Sequence, residues 1–288
     1  MYFLVPGVIL TALSWVIAWS EAGVFTEYSF LPLWLGYILT INGISQTVYR
    51  TSLLSVMGWH FLVLFGASIP MWWFFESVNQ LVQNWEYKLP HPISEMHYVL
   101  QASSNFATVI PAVLSTAYLV YQIFPNRSFH GPRWKVRTQY LQMAVAVGFL
   151  SFLGLRVFPH ETFPLVWIAP ILFLEPLAYV SGLPSMLRVL SEGNYRLPCS
   201  VMSGTLFTGI WWELWNYYSL PKWVYHIPYV GFWKVFEMPI LGYLGYPFFG
   251  FVVFTWGAIV LWVCFGQSLA DIFDATPRPK HRSGEFAE

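Results

Sequence analysis

Four glutamates stand in stretches that are otherwise apolar: Glu76, Glu175, Glu213 and Glu237. At the centre of a membrane span a charged group costs at least about 2.5–3.5 kcal/mol, so such residues mark function by default. Glu76 is followed three residues later by Asn79, and Glu213 by Asn216. That spacing puts acid and amide on one helix face. Aromatic residues accompany both pairs: Trp85 and Tyr87 follow the first, while Trp212 precedes and Trp223 and Tyr225 follow the second. The expected result is a buried or half-buried acidic pocket, opening outward and lined by Trp and Tyr, with no basic residue beside it in the spans. At least one carboxyl there is expected to keep its proton near neutral pH, which makes it a usable general acid. Glu213, Glu237 and Glu76 are the candidate acids. Glu175, Asn79, Asn216, Trp85, Tyr87, Trp212, Trp223 and Tyr225 are the candidate groups around a ligand. A plainer reading stays open beside this one. Glu-x-x-Asn also serves as hydrogen-bonding glue between helices, and Trp-x-Tyr just outside a span also serves as an interfacial anchor.

Other chemistries find little support. His91, Glu95 and His97 have a loose loop spacing that does not define a metal site. Cys199 and Cys264 form no metal-ligand pattern and are read as small packing residues. No Ser-His-Asp set, phosphate-cradling glycine loop or CxxC pattern is present, and the sequence names no cofactor.

The elements that must position these residues follow from composition. The 288 residues are 57% hydrophobic, 20% aromatic and 10% charged, against about 25% charged in a typical soluble domain. Lys plus Arg number 14 and Asp plus Glu 14, which leaves no basic footprint for a nucleic acid. The expected class is an all-α, polytopic membrane bundle with the lipid bilayer as its solvent. Eight segments are candidate spans, near 2–20, 30–48, 55–80, 98–123, 138–158, 163–187, 198–219 and 237–267. The first is read as a retained helix rather than a cleaved leader. Ten basic residues fall on one side (Arg50, Arg127, Arg133, Lys135, Arg137, Arg188, Arg196, Arg278, Lys280 and Arg282) and four on the other (Lys88, Arg156, Lys222 and Lys234). That bias predicts a cell inner (plasma) membrane protein with both termini cytoplasmic. Asn126-Arg127-Ser128 matches a glycosylation sequon but falls on the cytoplasmic side, so it is set aside.

An internal repeat organises the chain. Glu76 and Glu213 stand as far apart as Asn79 and Asn216. Trp85 and Trp223, Tyr87 and Tyr225, and Pro90 and Pro228 share an interval wider by a single position. Gln101 matches Glu237 and Pro111 matches Pro247 across nearly the same interval. Trp34 matches Trp167 and Asn42 matches Glu175 across one slightly shorter. The pattern predicts two tandem four-helix repeats, 1–126 and 138–268. A basic cytoplasmic linker (127–137) joins them and a cytoplasmic tail (269–288) follows. An even number of spans per unit gives a parallel pseudo-twofold axis, with a site between the halves. The paired prolines are expected to kink their helices.

At Trp223 and Tyr225, Gly231, and Phe236-Glu237 followed by Pro239, the chain resembles the integral-membrane lycopene cyclase type. Trp212-Glu213 is similar to the Trp-Glu element of fungal membrane terpene cyclases. The resemblance implies an isoprenoid or carotenoid substrate. It also implies a membrane acid that protonates a polyene or epoxide and aromatic faces that stabilise the resulting cation. It assigns the acid role to Glu213 and Glu237, with Glu76 as the counterpart in the other copy. Two departures stand out: Glu237 is alone and precedes its proline, where the cyclase motif has adjacent acids after it, and the unit has four spans rather than three. Two other readings remain beside the enzyme. One is a non-catalytic subunit, or a lipid or pigment binder, of a membrane complex; the other is a proton-coupled transporter. The partners these readings call for are an apolar small molecule and other membrane subunits.

Overall fold

The computed structural model describes residues 2–21, 23–124 and 129–275. The sequon, Arg127, Arg278, Lys280, Arg282 and the tail beyond 275 lie outside the described residues. The chain is mostly helical, and helices occupy all eight segments read from the sequence.

The first half runs α1 (Leu4–Ala18), α2 (Val24–Glu27), α3 (Phe30–Tyr49), α4 (Leu53–Met57), α5 (Leu62–Val82), β1 (Trp85–Lys88), α6 (Glu95–Phe106) and α7 (Val109–Ile123). The second half runs α8 (Thr138–Val157), α9 (Pro159–Thr162), α10 (Leu165–Val180), α11 (Met186–Ser191), α12 (Arg196–Tyr217) and β2 (Lys222–Tyr225). A hairpin of β3 (Lys234–Val235) and β4 (Met238–Pro239) follows, then a 3-10 turn at Ile240–Leu244, α13 (Gly245–Phe265) and α14 (Leu269–Asp274). The two short ribbons are additions to the all-helical expectation. Four helical stretches are long and apolar enough to cross a bilayer: Leu53–Val82, Glu95–Ile123, Thr138–Val157 and Ile240–Phe265. Leu4–Ala18 and Leu165–Val180 are apolar but shorter.

Helices α5, α7, α12 and α13 form the centre, each packed on its neighbours. Outside them α7 carries α3, which carries α1, while α13 carries α10, which carries α8. Small residues permit the closest of these approaches. A carbon on Gly7 would come within 2.5 Å of the Thr40 nitrogen, and one on Gly43 within 2.5 Å of the Leu4 backbone, so α1 and α3 meet backbone to backbone. Gly204 plays the same part between α12 and α7, where a carbon would sit 2.6 Å from the Ala117 Cα.

Pro111 and Pro247 are each the third residue of their helix, in α7 and in α13. Each follows a break in a longer helical stretch: the turn at Ala107 and Thr108 between α6 and α7, and the 3-10 turn before α13. A proline lacks the N–H that would carry the hydrogen bond across such a break. The linker residues from 129 onward lie against the loop between α11 and α12, with the Tyr195 nitrogen donating to the Phe129 carbonyl at 2.8 Å. The segment read as a tail opens with α14, whose Leu269 and Phe273 are buried.

Candidate functional site

Strands β1 and β2 pair antiparallel with Trp85 opposite Tyr225 and Tyr87 opposite Trp223. The ribbon thus joins the two Trp-x-Tyr signatures. With side chains alternating between faces, one face carries these four aromatic residues. The asparagines fix each strand to the helix before it. Asn79 Nδ2 donates to the Trp85 carbonyl at 2.8 Å and its Oδ1 accepts from the Trp85 nitrogen at 3.3 Å. Asn216 Nδ2 donates to the Trp223 carbonyl at 2.7 Å and its Oδ1 accepts from the Trp223 nitrogen at 2.8 Å. Each asparagine therefore clamps a backbone unit, satisfying a donor and an acceptor together.

One turn before each asparagine stands its glutamate. Glu76 Oε1 accepts from Tyr87 Oη at 2.6 Å, Trp72 Nε1 at 2.9 Å and Trp85 Nε1 at 3.2 Å. Glu213 Oε1 accepts from Tyr246 Oη at 2.6 Å and Tyr225 Oη at 2.7 Å, while Trp223 Nε1 donates to Tyr225 Oη at 2.9 Å. Glu213 is 0% exposed, and its Oε2 is buried without a hydrogen-bond partner. The two sites differ in where the indole after each glutamate donates, and also at one exchange of residue. Trp72 stands one helical turn before Glu76, and Gly209 holds the matching position before Glu213. A carbon on Gly209 would lie 2.7 Å from the Tyr246 ring. The glycine makes room for that ring, and its hydroxyl takes the place of the Trp72 indole as a donor.

Between these groups lies a cavity of about 120 Å³. Trp72, Trp85, Trp167, Trp212, Phe249 and Phe106 line it, together with Tyr87, Tyr225 and Tyr246. Polar groups at its margin include Glu27, Gln101, Asn105 and Lys222. The lining groups are the donors that hold Glu76 and Glu213, so both carboxyls stand behind an aromatic screen. The rings pack closely: Trp72 and Trp212 centroids are 5.2 Å apart, and Phe75 stacks on Trp167 at 5.4 Å.

The other two acids do not hold the aromatic lining. Glu175 accepts from the Leu187 nitrogen at 2.8 Å and from the Thr255 hydroxyl, capping α11. Asn42, matched to it in the sequence pattern, accepts from the Leu54 nitrogen of α4 at 2.8 Å. The pair performs one local task in both halves, away from the cavity. Glu237 is ion-paired with Lys222, which corrects the expectation that the acids lack cationic neighbours. Lys222 reaches it because β2 and the β3–β4 hairpin fold over the same end of the bundle. Trp72, Tyr246, Trp167 and Phe249 complete the site. Trp167 is visible in the sequence as the match of Trp34, whereas Tyr246 carries only its place beside Pro247.

Outside the ribbon, Glu86 meets Lys88 and accepts from His226 Nε2 at 3.0 Å. These hydrogen bonds, Lys88 first, hold the Glu86 carboxyl below its usual range. His91 pairs with Glu27 at 3.1 Å, and His97 shares a 2.6 Å hydrogen bond with Tyr28. Comparison of the chain with known protein families, curated proteins and solved structures finds no match.

Proposed function

We propose that the chain is a multi-pass membrane protein of two tandem four-helix units, 1–126 and 138–268. The units cross the bilayer eight times, with both termini cytoplasmic, and share one binding cavity about a parallel pseudo-twofold axis. Three observations support the duplication. The order α1–α3–α7 recurs as α8–α10–α13. The Asn clamps and Tyr–Glu pairs recur group for group. The ribbon register also maps onto itself, since exchanging the halves turns the Trp85–Tyr225 pair into the Trp223–Tyr87 pair.

The cavity binds an apolar molecule of isoprenoid class, and the protein acts on it in the manner of a membrane cyclase. Glu213 serves as the acid, with Tyr225 and Tyr246 between it and the ligand. Glu76 is its counterpart, and Glu237, paired with Lys222, steadies the ribbon end. The observation that carries this reading is that Tyr87, Tyr225, Tyr246, Trp72 and Trp85 line an apolar cavity and at the same time donate to a buried carboxyl. Aromatic faces around the same space would stabilise a developing cation. A cavity of about 120 Å³ is close to the roughly 150 Å³ that holds a benzene-sized guest, so it takes one end of a long polyene rather than its whole length.

A second reading, a lipid or pigment binder without catalysis, draws on the screen itself, because rings and hydroxyls separate both carboxyls from the cavity. Coexpression with a polyene-producing pathway separates the two. The enzyme reading predicts cyclised pigment that Glu213→Gln abolishes. Unchanged pigment beside a folded, membrane-inserted protein contradicts it.

A further inference from the structure

The stretch between β2 and α13 has two unlike faces. One face carries Tyr229, Phe232 and Trp233 just before the hairpin, then Leu241 and Leu244 on the 3-10 turn, all exposed; Trp233 is 77% and Tyr229 72% exposed. The other face supplies Met238, Gly242 and Gly245 to the cavity lining. One layer of chain therefore separates the cavity from whatever covers those side chains.

That cover is identifiable. Past Lys234 and the buried Met238 and Pro239, the chain continues into Ile240–Phe265, one of the stretches able to cross a bilayer. The exposed row is rich in Trp, Tyr and Phe, the residues that sit at the boundary of headgroups and acyl chains. Tyr229, Trp233 and Phe236 adopt left-handed backbone, with φ of 61°, 49° and 57°, a conformation bulky side chains rarely take and one that recurs at functional segments.

The two walls of the cavity are also held differently. In the first half α6 is tied to its surroundings: Gln101 Nε2 donates to the Glu27 carbonyl at 2.8 Å and His97 bonds Tyr28 at 2.6 Å. In the second half the hairpin is tied to β2 by the Glu237–Lys222 ion pair and is otherwise bonded within its own stretch. The Ile240 nitrogen donates to the Trp233 carbonyl at 3.0 Å and Tyr243 Oη to the Val235 carbonyl at 3.0 Å. A carbon on Gly242 would collide with the Met238 sulfur. A flexible thioether therefore packs against Gly242 in this wall.

We propose that residues 227–244 form a lateral portal. The outer face lies at the headgroup–acyl boundary of the bilayer, and the inner face, closed by Met238, is the wall through which an apolar ligand passes from lipid to cavity. The passage rests on the proposed binding of an apolar molecule; the membrane contact does not.

Both parts can be tested in lipid nanodiscs. A nitroxide at Trp233→Cys should be relaxed more by oxygen than by a water-soluble nickel chelate, whereas one at Glu86→Cys should show the reverse. A water-exposed signal at 233 overturns the portal. All-trans-retinol added to the discs should quench tryptophan emission as it enters. Met238→Ala should speed both uptake and release, and Met238→Trp should slow both by about tenfold, within the one to three decades that association rates span among variants of one site. A change in release alone marks Met238 as a contact rather than a gate, and overturns the passage. Uptake indifferent to both substitutions also contradicts the passage alone. No retinol uptake by the unaltered chain contradicts the cavity reading and the passage together, and the depth measurement then decides the membrane contact.

Discussion

Trp72 and Gly209 hold equivalent places, one turn before Glu76 and one turn before Glu213, and the exchange of an indole for a hydrogen is one source of the difference between the two carboxyl sites. On the Gly209 side the space is filled by Tyr246, which arrives from α13 and donates to Glu213 at 2.6 Å. A single methyl tests this. Gly209→Ala must displace the Tyr246 ring, so it should cost roughly 1–3 kcal/mol by overpacking and mimic the loss of function of Tyr246→Phe; an alanine variant as stable and as functional as the unaltered chain would refute the fit. The asparagine clamps give a matched pair of measurements. Asn79→Ala and Asn216→Ala each leave a backbone N–H and C=O without their partner, at about 1–3 kcal/mol per group. Thermal unfolding in detergent should fall by similar amounts for both, and a large loss at one site only would argue against equivalent roles. The glutamates, asparagines and Trp-x-Tyr pairs were legible in the sequence because each set is compact and recurs at a nearly constant interval. Tyr246 and Trp72 were not, because their partners are settled by how helices pack and by what a glycine leaves empty.

A two-stranded ribbon is marginal by itself in water, and β1–β2 survives through what holds it. Beneath it are the Asn clamps and the Tyr–Glu hydrogen bonds; above it Glu86 links Lys88 and His226. Because Glu86 is held below its usual range, its contribution is present above the ordinary carboxylate value. It is lost as pH falls through the lowered one. Amide exchange across Trp85–Lys88 and Lys222–Tyr225 should therefore be faster in Glu86→Gln than in the unaltered chain at about pH 6, with the difference vanishing well below the ordinary glutamate value of about 4.3. An equal difference at both pH values would remove Glu86 from the ribbon's support. At this scale the sequence was partly legible. Helix positions followed from runs of apolar residues, whereas the ribbon did not, since four-residue strands outside the spans leave too short a pattern to separate from an interfacial anchor. Pro111 and Pro247 show the same limit: their matched spacing was visible, but where each helical stretch breaks before its proline is seen only in the fold.

Across the whole molecule, the scarce acids divide into three tasks. Glu76 and Glu213 flank the cavity, Glu175 caps α11, and Glu237 pairs with Lys222. Low charge in the sequence marked all four as unusual, but burial alone does not say which of them share a space. That depends on depth and rotation about each helix, set by packing such as the close α1–α3 and α7–α12 seams. The central claim is that the two halves enclose one aromatic cavity for an isoprenoid-class molecule, with Glu213 acting upon it. It is tested most directly by purifying the protein in native lipid from cells that make an acyclic polyene and identifying what comes with it by mass spectrometry. Glu213→Gln should carry the unreacted polyene in stoichiometric amount, and the unaltered chain should carry the cyclised product or release it. Absence of any isoprenoid from both folded proteins would contradict the claim.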